Sequence, residues 1–149
     1  MGAKKPMTKP TIKVLIVDDD AAIRESIRLA LEEQEYIDVE VTESANATSG
    51  IQHAKRINPD VIILDLHMPN KSGWDFMNIL HKDIHLAKTR VIMLTADDTL
   101  DNVFKAEKKG IGAYQFLGKP FNIADLQALV LSPSLPIKAT GNDAIRRIV

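Results

Sequence analysis

A parallel α/β fold, with one sheet covered by helices on both faces, is predicted by three observations. Short, wholly apolar runs recur at Val14–Val17, Val61–Leu64 and Val91–Leu94. Segments with helical spacing separate them. Each apolar run ends in polar or loop-forming residues. Unbroken apolar runs fit strands buried on both faces, and strands alternating with helices imply a parallel sheet.

The elements follow in chain order. Residues 1–11 read as a flexible N-terminal arm, with Met7 a candidate native start behind a leader. Val14-Leu15-Ile16-Val17 forms the first strand and runs into three aspartates. Ile23, Ile27 and Leu31 recur every four residues and mark one helix face. Val39 and Val41 alternate in a short second strand. A helix is expected from Asn46 to Ile57, stopped by Asn58-Pro59. Val61-Ile62-Ile63-Leu64 is the third strand, followed by a loop rich in Pro, Asn, Ser and Gly. Ser72 can cap a helix carrying Trp74, Phe76, Met77 and Leu80. Val91-Ile92-Met93-Leu94 is the fourth strand, and a weaker helix runs from about Leu100 to Lys109, ended by Gly110. Ala113 to Leu117 is the fifth strand. Asn122 can cap a last helix through about Leu131. Residues 12–131 therefore form one domain. Residues 132–149 read as a linker-like C-terminal tail, in which Asn142 to Val149 could make a helical turn or two.

Five strand–helix units with right-handed crossovers leave few topologies. The flavodoxin-like (βα)5 arrangement, a doubly wound five-stranded parallel sheet with strand order 2-1-3-4-5, fits best. In such sheets ligands collect beyond the carboxyl ends of the strands.

Composition narrows the function classes. The chain has 149 residues and a formal net charge of −1, so no global basic field favours nucleic acid or an anionic membrane. Its Lys/Arg runs never exceed two residues. The absence of cysteine removes disulfides, cysteine-ligated zinc and a thiol nucleophile. The first ten residues lack an apolar signal core, and no apolar run reaches the length that crosses a bilayer. A cytoplasmic location is the expectation.

Polar residues cluster where the fold collects ligands. Asp18 and Asp19 follow the first strand, Asp65 the third, Thr95 the fourth, and Lys119 with Pro120 the fifth. Parallel strands share a direction, so all of these fall at one edge of the sheet. Carboxylates this close repel one another unless a cation is present. A hard ion such as Mg²⁺ takes one or two carboxylates, several waters and phosphate oxygens. A lysine ammonium supplies a compact counter-charge, and a threonine hydroxyl can donate to an anionic oxygen. That inventory suits transfer of a phosphoryl group to a carboxylate, a reaction governed by in-line positioning and electrostatics. Taken singly, each residue has a plainer reading. Acids suit a helix's first turn, which remains the reading of Asp20, and an Asp after a strand is commonly a turn residue. His53, His81 and His85 lack metal-ligand spacing and read as solvated.

The motifs VLIVDDD (14–20), VIILDLHMPNKSG (61–73), VIMLTA (91–96) and GIGAYQFLGKPF (110–121) together resemble a response-regulator receiver domain, the family of the bacterial chemotaxis regulator. The resemblance implies that Asp65 is the phosphoacceptor, taking its phosphoryl group from a sensor histidine kinase or a histidine phosphotransfer protein. It implies Mg²⁺ held by Asp19 directly, by Asp18 mainly through water, by Asp65 and by the His67 backbone carbonyl. Lys119 would contact the phosphoryl oxygens and Thr95 would hydrogen-bond one of them. Phe116 would be the switch aromatic, turning inward as Thr95 moves and altering the surface of the fourth helix, fifth strand and fifth helix. Two departures stand out. Phe116 lacks the hydroxyl of the tyrosine frequent there, and His67 and Asp97 occupy positions that influence the lifetime of the acyl phosphate. Such a domain is not an enzyme beyond its own phosphorylation and dephosphorylation. Its expected partners are the phosphodonor, a downstream protein or fused output domain, and a second copy in a homodimer, with no nucleic acid and no membrane.

Other readings are weaker. Asp18 and Asp20 have the D-x-D spacing of haloacid dehalogenase phosphatases, but Ala22 stands where that class has Thr or Val, and Asp65 would go unexplained. A dinucleotide site needs a Gly-rich turn after the first strand, and three aspartates would repel pyrophosphate. The serious alternative is a pseudo-receiver, a scaffold or dimerisation module not regulated by phosphate. Such scaffolds usually lack one of the acidic or lysine positions, and here all are present.

Overall fold

The computed structural model describes residues 9–69, 72–96, 114–131 and 145–148. In chain order these form β1 (Thr11–Val17), α1 (Ala21–Glu32), β2 (Asp38–Ser44), α2 (Ala47–Ile57), β3 (Val61–Asp65), α3 (Gly73–Lys82), β4 (Arg90–Thr95), β5 (Tyr114–Gly118), α4 (Ile123–Leu131) and β6 (Ile145–Ile148). The sheet order is β2-β1-β3-β4-β5-β6. The first five strands are parallel in the expected 2-1-3-4-5 order.

Why the sheet is buried follows from its strand sequences. Alternate residues of a strand point to opposite faces. Leu15 and Val17 of β1 join Ile62, Leu64 and Met93 in a core that also takes Phe76, Met77 and Leu80 of α3. Val14 and Ile16 join Ile63 and Leu117 in the opposite core, with Ile27 and Leu31 of α1 and Leu126, Leu129 and Val130 of α4. Each apolar run thus feeds two cores at once, which is why it shows no alternation.

Helix boundaries obey local chemistry. The Asp20 carboxylate accepts from the amides of Ala22 and Ile23 and caps α1, as read from the sequence. Asn46 caps α2, and Asn58 closes it with φ +47°, a conformation asparagine tolerates. Ser72 and Asp75 form a reciprocal capping box on α3. The Asn122 carboxamide accepts from Ala124 N at the start of α4.

One expectation is corrected. The stretch from Asn142, read as candidate helical turns, contains β6, which pairs antiparallel with β5 and sets Ile148 opposite Tyr114 and Arg146 opposite Phe116. A helix of one or two turns is not stable alone in water. The outer edge of β5 instead offers unpaired backbone donors and acceptors, which an extended segment satisfies. The arm residues 1–8, the helix expected from Leu100 to Lys109 and Asp97 lie outside the described residues. Among the described residues no helix is long and apolar enough to cross a membrane.

Candidate functional site

The carboxyl ends of β1, β3, β4 and β5 meet because β1 and β3, β3 and β4, and β4 and β5 are neighbours. Asp65 closes β3 opposite Leu94, and the next residue extends the pairing through Leu66 N–H to Leu94 O at 2.9 Å. Thr95 closes β4 opposite Gly118, and Lys119 N–H donates to Thr95 O at 2.7 Å. These bonds fix the backbone around the site from two sides.

Asp18, Asp19 and Asp65 each place one carboxylate oxygen within 4.8 Å of the others. Asp18 is fully buried and Asp65 almost so, while Asp19 is exposed. The Lys119 ammonium bridges the two buried acids, 3.1 Å from Asp18 Oδ2 and 3.4 Å from Asp65 Oδ2. The other oxygen of Asp65, Oδ1, accepts from His67 N–H at 3.0 Å. Asp18 Oδ1 accepts from Asp20 N–H at 2.9 Å. Each buried carboxylate is therefore oriented by one backbone amide and one shared ammonium. Hard carboxylate oxygens gathered this closely, with room for waters on the exposed Asp19 side, suit Mg²⁺, so the residues fit such an ion.

Burial pushes the Asp18 carboxyl above the ordinary carboxylate range. The Asp65 charge adds to this, against the Asp20 amide and Lys119, which favour the carboxylate. Burial also works against the Lys119 ammonium, but Asp18 and Asp65 outweigh it and hold its pKa above the usual lysine value. A raised folded-state pKa means that a group's stabilising contribution is fully present below its unfolded pKa and lost as pH rises through the folded one. Ionised Asp18 is therefore a cost at neutral pH when no metal is bound. Asp18→Asn, in which Lys119 keeps Asp65, unfolds at a higher temperature than the parent in EDTA at neutral pH. The gap closes in acid, below the ordinary carboxylate range. Thermal melts across pH in EDTA check both the sign at neutral pH and its disappearance in acid.

The remaining sequence-derived residues are placed as follows. Thr95 is fully buried, and its hydroxyl lies 3.3 Å from His67 Nε2. Phe116 points into the core at 1% exposure and packs on Trp74, with ring centroids 6.3 Å apart and planes tilted by 58°. The inward position, which the resemblance assigns to the modified state, is thus already occupied. Without a hydroxyl, Phe116 has no polar atom to lose by burial. Sequence reading missed the reach of the His67 side chain to Thr95. The signal that could have found it is strand register, because β3 and β4 are adjacent, Thr95 ends the buried run of β4 and His67 follows that of β3.

Residues 14–131 match the family model described as the response regulator receiver domain. The transcriptional regulatory protein BtsR of Escherichia coli K12 is 37% identical over 116 residues, covering 78% of this chain and 45% of the relative. The response regulator Rre1 of Synechocystis is 33% identical over 124 residues, 83% of this chain and 52% of the relative. The chain spans about half the length of these curated relatives. Among solved structures, the chemotaxis protein CheY4 of Vibrio cholerae superposes with a TM-score of 0.73 at 29% identity, covering 84% of this chain and 99% of that one.

Proposed function

The chain belongs to the response-regulator receiver family of two-component signalling, and from that premise we propose that Asp65 accepts a phosphoryl group with Mg²⁺ from a histidine kinase or a phosphotransfer protein. The observation that carries this reading is the Lys119 ammonium set between Asp18 and Asp65 beside the acidic cluster. A merely structural ion pair needs one acid per base. Here a surplus of carboxylates surrounds one lysine, which suits a site that also takes a divalent cation.

The step balances simply. An Asp65 carboxylate oxygen attacks the phosphorus of a phosphohistidine, an O–P bond forms, the P–N bond breaks, and the imidazole leaves with the electron pair and takes up a proton. The His67 amide holds Oδ1, so Oδ2 is the oxygen aimed at the donor once Lys119 turns toward the incoming phosphoryl group. Mg²⁺, held by Asp18, Asp19, Asp65 and the His67 carbonyl, would supply charge neutralisation for the phosphoryl oxygens. Lys119 contacts those oxygens and Thr95 donates its hydroxyl to one of them. An apolar groove of about 820 Å³, lined by Ala22, Ile23, Ser26 and Ala30 of α1 with Pro120 and Phe121, ends at Lys119 and offers the phosphodonor a resting surface.

Output then leaves through β5 and α4. Because Phe116 is already inward, the signal passes along the β5 main chain from Thr95 and Lys119 rather than by a ring flip. A downstream protein or a fused output domain reads that face, and β6 on the outer edge of β5 is part of what it meets. A phosphate-independent scaffold would have no use for the full set of Asp18, Asp19, Asp65 and Lys119.

Incubation with acetyl phosphate tests the proposal. With Mg²⁺, intact mass rises by one phosphoryl increment, and EDTA prevents the rise. Modification that is indifferent to EDTA overturns the metal-assisted mechanism, and no modification under either condition overturns the acceptor reading.

A further inference from the structure

The switch is in a mixed state that points to a residue holding it. Phe116 occupies the inward position, yet the Thr95 hydroxyl is directed at His67 Nε2, 3.3 Å away. The Thr95 backbone is fixed by Lys119 N–H on its carbonyl and by pairing with Gly118. A β-branched side chain on a fixed backbone has few staggered positions. Bringing the hydroxyl to a phosphoryl group on Asp65 therefore means leaving the imidazole. The His67 main chain is held in turn, its own amide by Asp65 Oδ1 and that of the preceding residue by Leu94 O.

We propose that the His67 side chain is a positioning residue that restrains the Thr95 hydroxyl in the unmodified protein and must release it for the modified state to form. This deepens the phosphoacceptor reading and rests on it. His67 thereby touches both halves of the site, with its main chain at the acceptor and its imidazole at the switch. The imidazole is exposed, so it can swing into solvent when displaced, at little packing cost. A hydrogen bond of this kind opposes the modified state by about 2- to 10-fold in equilibrium.

The test is a double-mutant cycle with beryllofluoride as the phosphoryl mimic, titrated in saturating Mg²⁺ and followed by Trp74 fluorescence. Trp74 reports because it packs on Phe116. His67→Ala tightens beryllofluoride binding by about 2- to 10-fold. His67→Gln, whose amide nitrogen can occupy the place of Nε2, returns it toward the parent value. In a Thr95→Ala background His67→Ala has no further effect, since the partner is gone. Unchanged or weakened binding in His67→Ala, or an equal gain in the Thr95→Ala background, overturns the restraint while leaving the acceptor reading intact. Absence of Mg²⁺-dependent beryllofluoride binding in the parent protein itself sinks both.

Discussion

Asp65→Asn abolishes Mg²⁺-dependent phosphoryl uptake from acetyl phosphate while leaving the chain folded. The carboxamide is nearly isosteric, so the end of β3 stays filled. Its oxygen can still accept from His67 N–H, which preserves the turn after the strand. What it loses is the charge. An amide oxygen is a poor nucleophile toward phosphorus, and an amide nitrogen facing Lys119 sets donor against donor. Lys119 then rests on Asp18, already the nearer of its two acids at 3.1 Å. One buried ion pair is lost, and one carboxylate is removed from a crowded cluster. These effects oppose each other. The net change is about 1 kcal/mol or less, a midpoint shift of roughly 2–4 °C for a chain of this size. Intact mass with a parallel thermal melt separates the outcomes. Phosphoryl uptake that persists in a folded variant means that another side chain is the acceptor. Lost uptake with a collapsed midpoint means that Asp65 serves stability first.

Much of this arrangement is legible in the sequence because parallel sheets translate local patterns into position. Val14–Val17, Val61–Leu64 and Val91–Leu94 announce buried strands, and one shared strand direction then forces Asp18, Asp65, Thr95 and Lys119 to a common edge. Caps are equally local, so Asp20, Ser72 and Asn122 could be read directly. What could not be read depends on choices made in three dimensions. Ile145-Arg146-Arg147-Ile148 is too short for periodicity to separate helix from strand, and its fate is decided by the edge of β5. That His67 reaches Thr95 across 28 residues is a matter of side-chain torsions. The inward Phe116 depends on the space beside Trp74. The unread features are side-chain placements and an edge pairing, whereas the readable ones are which residues the sheet brings together.

Replacing Gly73 with alanine damages both the fold and the site. A Cβ there would lie 2.7 Å from the carbonyl oxygen of Asp65, 2.8 Å from Leu66 Cα and 2.9 Å from Leu66 Cδ2. Two of these are backbone atoms and cannot rotate away. Gly73 N–H also donates to Leu66 O at 3.2 Å, so the first turn of α3 rests directly on the exit of β3. The contrast is Gly50, where an added Cβ meets only side-chain atoms, of Phe76 and Val17, at 2.9–3.2 Å. Overpacking against an unyielding neighbour costs about 3 kcal/mol. Alanine's smaller unfolded-state entropy returns at most about 1 kcal/mol, which leaves a net loss of about 2 kcal/mol. The urea midpoint falls accordingly with an unchanged slope. The strain is relieved by parting α3 from the exit of β3, which shifts the peptide of Asp65, the proposed acceptor. A displacement of about 1 Å at a reacting group costs on the order of 100-fold in rate. Gly73→Ala is therefore phosphorylated far more slowly than its loss of stability explains, even at temperatures where it is fully folded. Gly50→Ala, whose added Cβ meets side chains rather than the backbone of Asp65 and Leu66, keeps its rate. If both variants lose rate in proportion to stability, the Gly73 contact is only packing. If Gly73→Ala alone loses rate while folded, the close approach of α3 to β3 is what aims the carboxylate.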